Sequence, residues 1–240
     1  MNVGAPAGAT AGTAPRIRVV LADDHRIVRD GLQALLARER DIEVVGMACD
    51  GLEAVRLARE LQPDILVTDV AMPGLNGLEA MRRIHSEHPA VRLLCLSMHD
   101  DSRMVLAVLN AGASGYVLKD CSSDELALAL RKVMAGKVYV SPDLMNVVVD
   151  GLRQRQEQPS EATPVALTAR ERELVQLLSE GYSSNDVAER LHVSIKTVAT
   201  HREHVMRKLR VGSVAELTRY ALREGLSSMD TPCAGHRRPD

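Results

Sequence analysis

The sequence has no tryptophan, no phenylalanine and only four tyrosines among its 240 residues. Proteins that stack single-stranded nucleic acid need rows of aromatic side chains, so this class of protein is not expected. No uninterrupted apolar run approaches the roughly 18–20 residues that cross a bilayer, which argues against a membrane protein. The chain also lacks any C-x-x-C pair. The spacing of its four cysteines fits neither a zinc site nor a disulfide framework, which favours free thiols in a reducing cytoplasm.

What remains is the mixture typical of globular proteins, with 45% hydrophobic and 26% charged residues. The length predicts one large domain or two small ones. Residues 1–15 contain only small and apolar residues, Asn, Thr and Pro, without the basic start or apolar core of a secretory signal, so we expect a disordered leader. Residues 227–240 are expected to form a disordered tail.

Residues 16–140 alternate between short apolar runs of strand length and segments with helical periodicity. Five strands and five helices in alternation predict an α/β domain, in which helices cover both faces of a parallel sheet. Functional residues are then expected at the carboxyl ends of the strands. The predicted strands are Ile17–Leu21, Val44–Ala48, Ile65–Thr68, Leu93–Leu96 and Tyr116–Leu118.

The second half of the chain has a different pattern. Residues 141–164 are predicted to be a linker, because Gly151–Pro164 is polar and contains two prolines. Residues 165–226 then predict a small domain of four helices. A tight turn at His192–Val193, between a short helix and a longer one, is typical of a helix-turn-helix.

Three carboxylates follow predicted strands. Asp23 and Asp24 come after the first strand, and Asp69 comes after the third. If these strands are neighbours, the three acids meet in one crevice, where their mutual repulsion favours a bound cation. Mg²⁺ is the expected ion, because it prefers oxygen ligands and commonly uses one or two carboxylates.

Ser97 and Lys119 follow the fourth and fifth strands and should reach the same crevice. A hydroxyl and an ammonium beside a carboxylate can hold the oxygens of a transferred phosphoryl group, so Asp69 is a candidate phosphate acceptor. Each residue also has an ordinary explanation: an acid can cap a helix or begin a turn, and a lysine can be a solvated charge. The convergence of five such groups on one edge favours the site.

These residues carry a family resemblance. The stretches VVLADDH (19–25), PDILVTDVAMPGLNGLEA (63–80), LLCLSMHDD (93–101) and GASGYVLKD (112–120) resemble the receiver domain of two-component response regulators. The resemblance implies a flavodoxin-like sheet of order 2-1-3-4-5 and phosphorylation of Asp69 by a sensor histidine kinase. It also implies that the Ala71 carbonyl joins Asp23, Asp24 and Asp69 around Mg²⁺, that Ser97 and Lys119 contact the phosphoryl group, and that Tyr116 is a switch residue.

One position departs from many receivers, which have a proline and a cis bond after the lysine. Here Asp120 follows Lys119. A non-proline cis bond costs about 3 kcal/mol, so either this strain is tolerated or the bond is trans.

The third helix of the C-terminal domain has one apolar face and one polar face. The polar face by itself is more typical of a solvated amphipathic helix. The preceding short helix and tight turn shift the interpretation toward a recognition helix in the major groove. His201 and His204 lack a second ligand pair for zinc. The candidate DNA-binding residues are Ser194, Lys196, Thr197, Thr200, His201, Glu203, Arg207 and Lys208.

Residues 167–211 (LTARERELVQLLSEGYSSNDVAERLHVSIKTVATHREHVMRKLRV) and the helix after them resemble the LuxR-type DNA-binding domain. The combination is similar to the NarL/FixJ class of response regulators, which implies binding of double-stranded promoter DNA. It also implies a homodimer through the last helix, for which Val214, Leu217 and Ala221 are candidates. Because the phosphoryl group would be transferred to the protein itself, the chain is not expected to be an enzyme. The alternatives are a phosphorylation-independent DNA-binding regulator and an aspartate-dependent phosphohydrolase.

Overall fold

The computed structural model describes residues 16–157 and 167–227. The predicted leader, residues 158–164 of the predicted linker, and all but the first residue of the predicted tail lie outside this part of the chain. Among the described residues, no helix is both long enough and apolar enough to cross a membrane.

The first unit is a parallel sheet whose strand order is β2-β1-β3-β4-β5-β6. The predicted order of the first five strands is confirmed, and the sheet has a sixth strand that was not predicted. Two residues are too few to show a periodicity, so β6 is recognisable only by its backbone pairing with β5. The strands are β1 Ile17–Ala22, β2 Ile42–Ala48, β3 Ile65–Thr68, β4 Arg92–Ser97, β5 Gly115–Leu118 and β6 Tyr139–Val140.

Five helices cover the two faces of this sheet. One face packs against α1 (Arg26–Leu36) and α5 (Ser123–Met134), around Leu36, Leu126 and Leu130. The other face carries α2 (Gly51–Leu61), α3 (Gly77–Glu87) and α4 (Ser102–Asn110). Because both faces are covered, the strands are nearly continuous apolar runs, as expected for a parallel sheet.

Side-chain caps fix where several helices begin. The side chains of Asp50, Asn76 and Ser122 each accept a hydrogen bond from the backbone N–H three residues later. Such a cap satisfies one of the N–H groups that a helix leaves without a partner. The side chain of Glu125, in the position to complete a capping box with Ser122, instead accepts hydrogen bonds from Ser141 and Tyr139 beside β6.

The segment predicted to be a linker is partly helical. Pro142–Leu144 form a 3-10 turn, and α6 (Met145–Glu157) follows directly. Leu144 is buried in the core on the α2–α4 side, and Gly151 approaches Ser102 of α4. The polar composition of Gly151–Pro164 does not indicate this helix, which is in contact with α4.

The second unit contains four helices around its own core, which includes Leu174, Val187, Val205 and Leu217. The predicted turn between the second and third of these helices is present, with His192 at a positive φ of 53°. Complete capping boxes begin α7, at Thr168 and Glu171, and α8, at Ser183 and Asp186. The helices are α7 Ala169–Ser179, α8 Ser184–Arg190, α9 Ile195–Leu209 and α10 Val214–Arg223.

Candidate functional site

The register of the sheet brings the predicted acids together. Ala22 pairs with Thr68 at the carboxyl ends of β1 and β3, so Asp23 and Asp69 follow neighbouring strands. The N–H of Asp69 donates a hydrogen bond to the carbonyl of Ala22 at 2.8 Å. Both carboxylates are buried, with Asp23 2% and Asp69 5% exposed. Two buried like charges this close require a positive partner.

Lys119 provides a positive partner for both acids. Its Nζ lies 2.6 Å from Asp69 Oδ2 and 2.7 Å from Asp23 Oδ2. The backbone N–H of Lys119 donates to the carbonyl of Ser97, which fixes the lysine at the end of β5. Burial would lower the pKa of Lys119, but the attraction of Asp69 and Asp23 outweighs it and raises this pKa. The side chain therefore stays charged in the crevice.

Asp69 is held by two donors of different kinds. Its Oδ1 accepts the N–H of Val70 at 2.7 Å, while Oδ2 accepts from the ammonium of Lys119. Burial raises the pKa of Asp69 above its ordinary value, even though Lys119 opposes the shift. One carboxyl oxygen thus accepts from the backbone and the other from a charged side chain.

The carboxylate of Asp24 indicates whether a cation would fit this site. Its Oδ1 is buried and accepts no hydrogen bond from the described part of the chain. The Nδ1 of His25 lies 2.9 Å away but does not have hydrogen-bond geometry toward this oxygen. A buried carboxylate oxygen without a donor is costly, and a cation would satisfy it. The residues present therefore fit a divalent ion.

The structure adds a residue to the predicted acids. Asp23, Asp24 and His25 each offer a ligand atom, and these atoms all lie within 4.8 Å of one another. His25 is not among the predicted site residues, although it directly follows the two acids. Asp69 is not part of this group, although both it and Asp23 contact Lys119. Ala71, whose carbonyl was expected at the ion, is half-buried two residues after Asp69.

Ser97 and Tyr116 are linked through one residue. Ser97 Oγ accepts the N–H of His99 at 3.2 Å, and the Tyr116 hydroxyl donates to the carbonyl of His99 at 2.7 Å. Both side chains are fully buried. Tyr116, the expected switch residue, lies inside the first unit, and burial raises the pKa of its hydroxyl. The Lys119–Asp120 bond is trans, like the other peptide bonds of the described residues.

The polar face of α9 is open to solvent. Its apolar side packs into the core of the second unit through Val198 and Val205. Ser194 caps the helix by accepting the N–H of Thr197 at 3.1 Å, and their hydroxyls lie 2.8 Å apart. Most of the predicted DNA-contacting residues of α9 are accessible to solvent. Their exposed side chains are Lys196, Thr200, His201, Glu203 and Arg207.

Lys208 differs from the other candidates. Its Nζ lies 2.7 Å from Oε2 of buried Glu171, and His204 Nδ1 lies 3.1 Å from the other oxygen of that carboxylate. Burial would raise the pKa of Glu171, but hydrogen bonds from Lys208 and Thr168 outweigh it and lower this pKa to about 2. The ammonium of Lys208 thus forms an ion pair inside its own unit. The contacts of Glu171 with Thr168, His204 and Lys208 form the Glu171 network, which was not predicted.

The prediction for the last helix is wrong at two of its three positions. Leu217 and Ala221 are completely buried in the core of their own unit, so they do not face a second copy. The apolar stripe of α10 serves to pack this small unit, which the sequence pattern alone does not distinguish from a dimer surface. Val214 is exposed over 43% of its surface.

Comparison with known proteins defines the class. Residues 19–131 match the response regulator receiver domain, and residues 165–221 match the bacterial regulatory proteins of the luxR family. The chain therefore belongs to the two-component response regulators with a LuxR-type DNA-binding domain. It is a phosphorylation-activated transcription regulator.

Individual relatives are similar over nearly the whole chain. The oxygen regulatory protein NreC of Staphylococcus epidermidis (strain RP62A) is 40% identical over 215 residues, which cover 88% of this chain and 99% of NreC. NreC of Staphylococcus aureus (strain JH9) is 39% identical over 214 residues, with the same coverage.

Solved structures give the same assignment. A LuxR-family response regulator from Aurantimonas sp. SI85-9A1 shares 40% identity and a TM-score of 0.55 over 57% of this chain and 99% of that one. The RcsB response regulator of Salmonella typhimurium shares 26% identity and a TM-score of 0.59 over 88% of this chain and 98% of RcsB. RcsB in complex with DNA gives a TM-score of 0.55 at 26% identity, covering 87% and 98%.

Proposed function

We propose that Asp69 is the phosphoacceptor of this regulator and that residues 16–140 act as its receiver domain. The phosphoryl donor is a sensor histidine kinase. Phosphorylation then promotes dimerisation and binding of promoter DNA by residues 165–226, through the exposed face of α9. Because its target is DNA, this regulator acts in the cytoplasm.

One observation carries the assignment of Asp69. The ammonium of Lys119 lies within 2.7 Å of both Asp69 and Asp23, so the crevice joins the ends of three strands around one carboxylate. Asp69 is the acid that the backbone N–H of Val70 orients. An ammonium beside a fixed nucleophile can hold an oxygen of an incoming phosphoryl group without large rearrangement.

The transfer itself is a substitution at phosphorus. Oδ2 or Oδ1 of Asp69 forms an O–P bond, and the P–N bond to the kinase histidine breaks. The electron pair of that bond stays on the ring nitrogen, which then takes up a proton from solvent. Lys119 exchanges its contact with the Asp69 carboxylate for one with a phosphoryl oxygen. Ser97 supplies a hydroxyl to another oxygen of the group.

Mg²⁺ fits the acids that flank this carboxylate. Asp23, Asp24 and Asp69, with the carbonyl of Ala71, would hold the ion, and His25 lies close enough to contribute or to orient Asp24. When bound, the ion supplies positive charge that offsets the negative charge of the phosphoryl oxygens.

The chemistry consumes one phosphoryl group per chain, so we propose that the protein is not an enzyme. A phosphohydrolase that uses an aspartyl nucleophile typically has a second Asp two residues later, where this chain has Ala71. A steady-state phosphatase assay with Mg²⁺ tests this point. We expect no turnover beyond the slow hydrolysis of the phosphoprotein, and many turnovers per chain would support the phosphohydrolase instead.

The regulatory proposal is tested by DNA affinity with and without a beryllofluoride mimic of the phosphoryl group. We expect the mimic to raise the affinity of the wild type for its promoter DNA and to leave Asp69→Ala unchanged. Equal affinity of the wild type in both conditions would support phosphorylation-independent binding.

A further inference from the structure

The loop from Val70 to Asn76 connects β3 to α3 and begins directly after Asp69. Its two ends meet beside the phosphoacceptor, because the N–H of Gly77 donates to the carbonyl of Val70 at 2.9 Å. The backbone approach is close enough that a Cβ on Gly77 would lie 1.7 Å from the carbonyl oxygen of Asp69. A change in the conformation of this loop therefore takes place next to the acidic crevice.

One side chain of the DNA-binding domain holds this loop at two points. Gln176, on α7, donates from Nε2 to the carbonyl of Met72 at 3.0 Å. Its Oε1 accepts the backbone N–H of Asn76, also at 3.0 Å. The side chain is buried, with the residue only 1% exposed. The bonded carbonyl of Met72 belongs to the residue that follows Ala71.

A second side chain fixes the orientation of that amide. Glu180, one turn further along, accepts from Gln176 Nε2 at 2.7 Å and from the N–H of Gly74 at 3.2 Å. A carboxylate only accepts hydrogen bonds, so the NH₂ group of Gln176 must face Glu180 and Met72. The amide oxygen is then left for Asn76. Alternate residues of the loop, at 72, 74 and 76, are thus bonded to one face of α7.

Ion pairs to buried carboxylates also join the two domains. Arg172 donates to both oxygens of Glu79, at 2.6 and 3.1 Å, and Arg83 pairs with Glu173. Gln176 adds little charge to this contact. Its bonds go to main-chain groups at two points of the loop, which also carries Ala71.

We propose that Gln176 is a positioning residue for the cation site of the receiver domain. By holding Met72 and Asn76, it keeps the loop in the conformation that presents the Ala71 carbonyl to Mg²⁺. The DNA-binding domain thus contributes to the affinity of the phosphorylation site. This inference rests on the proposed function, because it requires the cation to bind beside Asp69.

The physical basis is preorganisation. A free loop loses backbone entropy when one of its carbonyls becomes a ligand, and a loop already fixed by hydrogen bonds does not. Residues that orient metal ligands commonly change metal affinity by about 10–100-fold when they are removed. Gln176 acts on a single carbonyl ligand, so we expect an effect near the lower end of that range.

The test measures Mg²⁺ binding to the full, unphosphorylated chain by isothermal titration calorimetry. The variants are Gln176→Met, which keeps the length without hydrogen bonds, and Gln176→Glu, which removes the donor to Met72. Asn185→Leu is the matched control, because it also removes an amide from this domain but lies exposed on α8. We expect the Kd for Mg²⁺ to rise about 10-fold in both Gln176 variants and to stay within about twofold in the control.

A second measurement separates positioning from general damage. With an acetyl-phosphate donor, the Mg²⁺ concentration giving half-maximal phosphorylation should rise by the same factor in the Gln176 variants, while the rate at saturating Mg²⁺ stays unchanged. A variant that has only lost folded protein would show a lower maximal rate and the same half-saturation. If circular dichroism shows that Gln176→Met unfolds α7, Glu180→Ala is used and is expected to shift the Kd in the same direction.

The outcomes distinguish this inference from the function on which it rests. If the wild type is not phosphorylated at Asp69, the proposed function is wrong. If it is phosphorylated but the Gln176 variants bind Mg²⁺ as the wild type does, the inference alone is wrong. Tighter Mg²⁺ binding by the variants would also overturn the inference, because Gln176 would then hold the loop away from the ion.

Discussion

The ammonium of Lys119 lies 2.6 Å from Oδ2 of Asp69, and the two residues are 50 positions apart in the sequence. This contact joins the ends of β5 and β3 and keeps a buried carboxylate beside a positive charge. It also means that a phosphoryl group arriving at Asp69 meets a donor already in place.

Replacing Lys119 should therefore impair phosphorylation more than folding. For Lys119→Met we expect the rate of phosphorylation by acetyl phosphate to fall about 10²-fold, as when one preorganised donor to a reacting oxygen is lost. The rate is measured from the fraction of phosphorylated chain over time. Lys137→Met, at an exposed position, is the control and should keep the wild-type rate. Equal rates in the two variants would show that Lys119 does not act on the phosphoryl group.

The Glu171 network predicts a pH-dependent stability of the DNA-binding domain. The pKa of Glu171 is lowered from its ordinary value of 4.5 to about 2. Its contribution is therefore complete above about pH 4.5 and is lost as the pH falls toward 2. We expect Glu171→Gln, which retains an acceptor for the helix cap, to lower the free energy of unfolding by about 1–3 kcal/mol at pH 7.

Urea unfolding followed by circular dichroism checks this value at pH 7 and at pH 3. The difference between wild type and Glu171→Gln should become smaller at the lower pH. A difference of the same size at both pH values would mean that the charge of Glu171 contributes nothing. The expected loss of stability is smaller than the free energy equivalent to the full change in pKa, because the partner side chains Lys208 and His204 are partly in contact with solvent.

Substitutions on the exposed face of α9 should affect DNA binding in two different ways. Lys196→Ala should weaken binding to all DNA sequences and reduce the slope of log affinity against log salt by about 1, because one phosphate contact is lost. Thr200→Ala should change the preferred sequence and leave that slope unchanged. Both effects are measured by selection from a random DNA library, followed by salt titration.

Lys208 provides the comparison within the same helix. Because Glu171 already engages its ammonium, Lys208→Ala should change the salt slope less than Lys196→Ala does. A larger effect at Lys208 would indicate that the ammonium leaves Glu171 for a DNA phosphate.

The last helix predicts different consequences for neighbouring positions. Val214→Asp should weaken dimer formation on DNA while the domain stays folded, because this side chain is 43% exposed. Leu217→Ala should instead destabilise the domain by about 2–5 kcal/mol, as expected for a fully buried leucine. Sedimentation of the DNA complex and thermal unfolding distinguish the two effects. Loss of folding in Val214→Asp would show that position 214 is part of the core.

The sequence is sufficient to predict features that depend on local periodicity and on the ends of strands. Five strands, their order and the meeting of Asp23 with Asp69 follow from buried runs and from a family resemblance. β6 could not be predicted, because two residues carry no periodicity. α6 could not be predicted either, because a polar composition and two nearby prolines indicate a linker, whereas contacts with α4 stabilise a helix.

Long-range contacts that neither the strand pattern nor the family resemblance indicates could not be predicted. Leu217 and Ala221 form an apolar stripe, but only the fold shows that this stripe faces its own core. The roles of Gln176 and Glu171 require partners 100 and 37 residues away, respectively. A glutamine on a predicted helix gives no local signal that it will bind a backbone carbonyl of another domain.

The site of phosphate incorporation tests the assignment of Asp69 as the phosphoacceptor. The full chain is incubated with acetyl phosphate in the presence and absence of Mg²⁺, and the modified residue is identified by mass spectrometry after borohydride trapping. We expect one phosphoryl group per chain, at Asp69, only with Mg²⁺, and none in Asp69→Asn. Mg²⁺-independent incorporation would show that the cation is not needed for phosphorylation. Equal incorporation into Asp69→Asn would show that Asp69 is not the phosphoacceptor.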